Sequence, residues 1–185
     1  MADSTAVSPV KMMASTVNSA SVVFEPLHAD VTPPERATRG SAGYDLRAYL
    51  VERRVRCSDG VSHWETESVE VGGAWSIELP PSAMALIPLG FRARLPEGYE
   101  AQVRPRSGAS FKKGLQIPNA PGTVDADYPD EWLVPVRNAT ASPMRIEHGE
   151  RIAQAVFQRY EAVAWEAGVV RATTDRAGGF GSTGR

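Results

Sequence analysis

Residues able to do chemistry concentrate in the run 122–128, GTVDADY, which places two carboxylates and a phenol within a few positions. It follows directly on the turn-forming sequence Pro118-Asn119-Ala120-Pro121, so a tight β-turn is expected rather than a loose tip. An acid held on such a turn beside a glycine has the fixity that a water-activating base requires. Aspartate is ordinarily ionised at neutral pH and needs no large shift to serve. A polar hairpin end would carry the same residues, and the run alone leaves both readings open.

Two further stretches have the composition of anion sites. Arg104-Pro105-Arg106-Ser107-Gly108 sets an arginine, a hydroxyl and a glycine at the opening of a short helix expected over 107–113, with Gly114 past its end. Free N–H groups at a helix start and a forked guanidinium both suit phosphate oxygens. A capped helix beside a solvated arginine is the plainer reading. The tail 177–185, AGGFGSTGR, offers backbone N–H groups at Gly178, Gly179 and Gly181 and the Ser182 and Thr183 hydroxyls, with Arg176 adding charge. Phe180 has no core to join there and is free to stack on a nucleobase, as in a lid that orders on binding. A frayed terminus reads from the same composition. No G-K-[ST] is present, so a Walker-type ATPase is not supported.

The elements that must hold these residues read as strands. Val22-Val23-Phe24 is stopped by Pro26, and Tyr44/Leu46 alternate within 41–48. Residues 51–79 read as a β extension: Val55 and Cys57 alternate with charges up to Asp59-Gly60, a two-residue hairpin signal, and Val61 and Trp64 return. This region is expected to be surface architecture. Short strands then recur at 83–88, 90–95, 99–104, 133–137, 144–147 and 151–158, with Pro80-Pro81, Pro96-Glu97-Gly98 and His148-Gly149 between them. Many short strands with regular turns predict an all-β sandwich or barrel. Residues 1–20 bury too little to offset their ordering entropy and are expected to form a disordered leader.

Composition narrows the function classes. At 185 residues and net charge -2, the chain fits one domain without a strongly basic face, and no nucleic-acid partner is expected. A single cysteine, Cys57, excludes an intramolecular disulfide, and no Cys/His spacing resembles a zinc site. His28, His63 and His148 read as ordinary polar positions. No apolar run approaches the roughly 18 residues of a membrane helix. Lys11 is the lone basic residue of the N-terminal stretch and no apolar h-region follows, so a soluble cytoplasmic protein is expected.

Five segments in order give these fragments a common frame: AGYDLRA at 42–48, RPRSG at 104–108, NAPGTVDADY at 119–128, GERIAQAVF at 149–157 and RAGGFGSTG at 176–184. Together they resemble the trimeric-type dUTPases (deoxyuridine 5′-triphosphate nucleotidohydrolases). The resemblance implies a distorted β-barrel or jelly-roll with one short helix over 21–170, containing the 51–79 hairpin insertion, and a flexible C-terminal lid at 171–185. It implies hydrolysis of dUTP to dUMP and pyrophosphate, keeping uracil out of DNA and supplying dUMP for dTMP synthesis. Asp125 takes the place of the base that activates water against the α-phosphorus. Asn119 and the backbone of Gly122, Thr123 and Val124 take the place of the uracil pocket, and Tyr128 that of the wall under the deoxyribose. Arg106, Ser107, Gly108 and Gln154 correspond to phosphate-binding groups. Arg176, Phe180, Gly181, Ser182 and Thr183 correspond to the closing lid. Asp45 corresponds to a residue acting through water on a Mg²⁺ that the triphosphate itself chelates. The family is a homotrimer with sites shared between subunits.

Some positions depart from the family pattern. Pro129-Asp130 stands where the family has x-Gly, so Asp130 is expected to strain a left-handed turn. Ala109 replaces a larger apolar residue and is expected to loosen packing beneath the phosphate site. Residues 51–79 are longer than usual, and the tail has one residue fewer between Arg176 and Gly178. Two rival readings remain at this level: a dCTP deaminase, mono- or bifunctional, and a catalytically impaired nucleotide-binding regulator.

Overall fold

A computed structural model describes residues 20–171 and 173–174 and turns the alternating patterns into paired strands. These are β1 (Val23–Pro26), β2 (Tyr44–Arg47), β3 (Arg54–Ser58), β4 (His63–Glu67), β5 (Val69–Val71), β6 (Ala74–Leu79) and β7 (Met84–Pro88). Then follow β8 (Phe91–Arg94), β9 (Tyr99–Pro105), β10 (Leu115–Gln116), β11 (Gly122–Val124), β12 (Leu133–Asn138), β13 (Met144–Glu147) and β14 (Arg151–Arg159). All pair antiparallel, in open sheets ordered β1-β8, β10-β12-β7-β3-β4, β11-β9-β14-β2 and β13-β6-β5. None of these sheets closes on itself; the architecture is all-β and jelly-roll-like, with one short helix. Of the expected strands, those from 83 onward are met within a residue at each end. Leader residues 1–19 and the tail residues Arg176, Phe180, Gly181, Ser182 and Thr183 lie outside the described residues.

Strand period decides what is buried. In β3 Val55 and Cys57 point inward and Arg54 and Arg56 outward; β8 and β13 alternate in the same way. One core results, with Leu46, Leu50, Val55, Ile77, Leu79, Ile87, Val136, Ile146 and Ile152 essentially sealed from solvent. Burial raises the Cys57 thiol above its ordinary value. Asn138, also sealed, is a polar hub. Its Nδ2 donates to the carbonyls of Leu79 (3.0 Å), Pro80 (3.1 Å) and Ser142 (2.8 Å), and its Oδ1 accepts from the Thr140 N–H and hydroxyl. Nothing in the sequence pattern marks that role.

Several expectations change. Region 51–79 is not mere surface architecture: β3 pairs with β7 as well as β4, and Val55, Cys57, Ile77 and Leu79 sit in the core. Its hairpin closes at Ser58–His63, leaving a four-residue loop in which Asp59 Oδ1 accepts from the Val61 and Ser62 N–H groups. Those two bonds hold the Asp59 carboxyl below its ordinary value, and Val61 lies in the exposed loop rather than on the return strand. Helical backbone does begin at Ser107, but Ala109–Lys113 winds as a π-type turn with no side-chain N-cap. Gly114 ends it in a left-handed conformation, φ +70°. Ala109 packs against the core despite its size. Asp130 is not in the left-handed region: the non-glycine residues with positive φ among those described are Glu52 and Ser82. The strain expected at Asp130 is therefore absent.

His28 and His148 are more structured than ordinary polar positions. His28 stacks on Tyr49, with ring centroids 4.1 Å apart, and His148 meets the Tyr49 edge at 5.1 Å. Burial, reinforced by Asp30, raises the Tyr49 phenol above its ordinary value.

Candidate active site

Sheet β11-β9-β14-β2 is the platform. Its register aligns Asp45 on β2, Gln154 on β14 and Arg104 on β9 in one row across three strands. A bulge in β14 makes that row. Arg151 pairs with Arg47 and Ala153 with Leu46, so Ile152 is the extra residue, and the shift carries Gln154 opposite Asp45. Without it Ala153 would take the place of Gln154.

Around this row the segments 42–48, 104–108 and 149–157 converge. Arg106 Nε donates to Asp45 Oδ1 at 2.7 Å and Arg151 Nη1 to Asp45 Oδ2 at 3.1 Å. Arg106 also reaches the Arg151 carbonyl at 3.3 Å. A largely buried carboxylate, 15% exposed, thus lies between two guanidiniums and fixes where both point. Arg151, which sequence reasoning passed over, is as much a part of this cluster as Arg106. As a charged residue at the start of a strand, it carried no signal beyond its place in GERIAQAVF. Lys113 binds both oxygens of Glu150, at 2.6 and 2.7 Å, and so ties the π-type turn to the chain entering β14. Ser107 and Gly108 sit exposed at the head of that turn.

Gln154 donates from Nε2 to the Pro105 carbonyl at 2.9 Å, directly before Arg106. Gly43 makes room for it. A Cβ at Gly43 would fall on Gln154 Oε1, so this glycine is a second residue that the sequence left unread.

The hairpin after β10 follows its own geometry. Asn119 lies against Gly122, where a Cβ would stand 2.9 Å from Asn119 Nδ2, so the glycine lets the amide close over the strand. Past β11, the Tyr128 N–H donates to the Asp125 carbonyl at 3.3 Å, the tight turn expected from the sequence, with Asp125 exposed at its first position. Tyr128 is 37% exposed and donates its hydroxyl to the Glu131 carbonyl at 3.3 Å. Ala120 and Pro121 share a shallow groove with Gln102, Arg104, Pro105 and Gln154. Asp125 lies at the other end of the sheet. Val124 pairs with Ala101, four residues before Pro105 on β9. That separation is about 13 Å at the strand rise.

Among the described residues, no three His, Cys, Asp or Glu side chains form a metal-binding group. Asp45 has one donor on each oxygen, which leaves lone pairs that fit an outer-sphere, water-mediated contact with a hard cation. No helix among the described residues is long and apolar enough to cross a membrane.

Comparison with known proteins gives the family and the fold. The family model for dUTPase matches residues 74–184. A deoxyuridine 5′-triphosphate nucleotidohydrolase from Caulobacter vibrioides is 39% identical over 160 residues, covering 85% of this chain and 88% of that protein. Among solved structures, the dUTPase of Streptococcus mutans is 27% identical with a TM-score of 0.58, covering 77% of this chain and 98% of its own. A Staphylococcus bacteriophage 80alpha dUTPase solved with dUpNHpp shares the fold at 23% identity and TM-score 0.66, covering 89% of this chain and 98% of its own. The family match spans more than half of the sequence and the bacterial relative most of it: this chain belongs to the dUTPase family, hydrolases of nucleotide metabolism.

Proposed function

We propose that the protein hydrolyses dUTP to dUMP and pyrophosphate, with Asp125 as general base and Arg106, Ser107, Gly108 and Gln154 as the phosphate cradle. The observation that carries this reading is the convergence of segments 42–48, 104–108 and 149–157 on one ionic cluster, Arg106–Asp45–Arg151, beside the exposed head of a short helical turn. Phosphoryl transfer asks mainly for positioning and charge neutralisation, and the cluster supplies fixed guanidiniums for both.

In the proposed reaction, Asp125 accepts a proton from a water whose oxygen forms the new bond to the α-phosphorus. The bond from that phosphorus to the bridging oxygen breaks in line, and pyrophosphate leaves with the bond pair. Arg106 takes up the charge that develops on the phosphate oxygens, and the Ser107 hydroxyl lies near the scissile bridge. Asp45 would face a triphosphate-chelated Mg²⁺ through water, and that ion would supply further charge neutralisation. Asn119 and the backbone of Gly122, Thr123 and Val124 read uracil, and their close fit excludes a 5-methyl group. Tyr128 lies under the sugar, where a 2′-hydroxyl would clash. Arg176, Phe180, Gly181, Ser182 and Thr183 close over the base and γ-phosphate.

The separation along β9 argues that base and cradle come from different copies of the chain. Asp125 lies well over 10 Å from Pro105 by strand rise, too far for one subunit's Asp125 and Ser107 to act on one phosphorus. Residues 160–171 support the same view, because they follow the last strand without regular secondary structure and with Trp165 95% and Val170 98% exposed. A run so apolar is at home against another subunit. A homotrimer with shared sites is the assembly proposed, and the cytoplasm the compartment.

Pyrophosphate release from purified protein with Mg²⁺ tests the reading, using dUTP beside dTTP, dCTP and UTP. A strong preference for dUTP is expected. Equal rates on all four would refute it, ammonia release from dCTP would replace it with a deaminase, and tight dUTP binding without turnover would replace it with a regulator.

A further inference from the structure

We propose that Arg53, acting through Glu131, positions Tyr128 and thereby sets how well the site tells deoxyribose from ribose; this rests on the reading of Tyr128 given above. Arg53 belongs to the 51–79 extension and lies before the segment that the family match covers. Its side chain nonetheless reaches the base of the hairpin, where Nη2 donates to Glu131 Oε2 in a pair with side chains 23% and 17% exposed. The other oxygen, Glu131 Oε1, accepts from the Gly90 N–H at 2.8 Å. The Glu131 carboxylate is therefore gripped from two sides.

Both grips are rigid. Gly90 has φ +76°, its carbonyl accepts from the Leu27 N–H at 2.9 Å, and a Cβ there would stand 2.9 Å from Tyr49 and Val31 atoms. Arg53 is fixed by its own backbone: its N–H donates to Ser68 Oγ at 2.9 Å and its carbonyl accepts from the Ser68 N–H at 2.8 Å. Arg53 Nη1 lies 3.2 Å from His28 Nε2. A guanidinium only donates, so that nitrogen is the acceptor, and the stacked His28–Tyr49 pair backs the arginine.

What the clamp holds is the far end of the Tyr128 loop. The Glu131 carbonyl accepts the Tyr128 hydroxyl, and the Tyr128 N–H donates to the Asp125 carbonyl. Trp132 beyond it is locked to β8 and to the residue just past β7: its N–H donates to the Phe91 carbonyl and its carbonyl accepts from the Leu89 N–H. Pro129 has a fixed φ, which leaves Asp130 and Glu131 as the adjustable links between the turn and the sheet. Loss of the Arg53 charge leaves a part-buried carboxylate unpaired, and the residue that follows it outward is the one carrying Tyr128 on its carbonyl. Asp125, one turn further, is held more directly by β11. Discrimination at the sugar should thus suffer more than the chemical step.

The test compares kcat and KM for dUTP and UTP in wild type, Tyr128→Ala, Arg53→Met, Arg53→Lys and Glu131→Gln, each checked by thermal melting. Arg53→Met keeps the apolar stem, and Glu131→Gln keeps the shape and an acceptor for Gly90, so the second carries the test if the first does not fold. The ratio of kcat/KM for dUTP over UTP should fall about tenfold in both, mostly through KM, as expected of a small displacement of a positioning group. Arg53→Lys should restore part of the ratio. A ratio kept in Arg53→Met and Glu131→Gln but lost in Tyr128→Ala overturns the clamp alone. A ratio kept in Tyr128→Ala overturns the sugar reading and the clamp with it. An equal loss on both nucleotides also overturns the clamp, because Arg53 would then only hold the fold.

Discussion

Alanine at Gly43 should reverse the effect that replacing a glycine usually has. Gly43 precedes β2 with φ outside the left-handed region, and in open space a Cβ there would narrow the unfolded ensemble and stabilise by about 0.4–1 kcal/mol. The space is taken. The Cβ would fall on Gln154 Oε1 and stand 2.9 Å from Gln154 Cδ and 3.2 Å from Gln154 Cβ. The carboxamide can rotate away, but the Gln154 Cβ is fixed by pairing with both Asp45 and Arg104. Rotation breaks the 2.9 Å bond from Nε2 to the Pro105 carbonyl. That loss costs about 1 kcal/mol, crowding at Cβ about 1–3 kcal/mol more, and the net after the unfolded-state gain is destabilisation of about 1–3 kcal/mol. The same rotation takes the amide away from the Pro105 carbonyl, directly before Arg106 and the proposed phosphate cradle, so kcat/KM for dUTP should fall by roughly tenfold to a hundredfold. Calorimetric melting and pyrophosphate release are the assays. The double variant Gly43→Ala/Gln154→Ala is the control, because removing the amide relieves most of the clash and the two effects should be strongly non-additive. A Gly43→Ala protein that melts higher and turns over normally would refute the reasoning.

Asp125→Asn should keep equilibrium binding of dUTP within a few-fold while turnover drops by roughly 10²–10⁴, as loss of a general base does. Deleting residues 177–185 should leave the sedimentation behaviour unchanged and abolish efficient turnover; a truncated protein that works normally removes the lid. Asn138→Ala strips a donor from the buried Leu79 carbonyl and from the Pro80 and Ser142 carbonyls, and the acceptor from Thr140, and should cost about 2–3 kcal/mol in urea unfolding. Alkaline stability follows from Cys57 and Tyr49, whose folded-state values are raised above 9.0 and 10.0. Both are neutral when protonated, so above those values the unfolded chain releases protons that the folded protein retains. Stability should therefore fall as pH rises beyond 9.0, and Cys57→Ala should flatten the first part of that decline, read from urea midpoints at successive pH.

Strand period and turn chemistry were legible in the sequence. Alternation in 144–147, the short strand at 151–158 and the Asp125 turn after Pro118-Asn119-Ala120-Pro121 sit where local rules put them, because each depends on neighbours a few positions away. Chemical identity was legible too, since five short segments in order carry their residue types wherever the chain takes them. Tertiary structure decided the partners. That Asp45 sits between Arg106 and Arg151, that Gly43 is small for the sake of Gln154, and that Arg53 reaches Glu131 all depend on strand order, and Arg151 and Asp45 are 106 residues apart. Burial of region 51–79 was missed because a strand with one polar face reads alike at an edge and in a sheet, and only β7 beside β3 makes Val55 and Cys57 core. Asp130 was misjudged in the opposite direction: a left-handed turn was carried over from the glycine the family has at that place, whereas this chain passes through Asp130 without a positive φ.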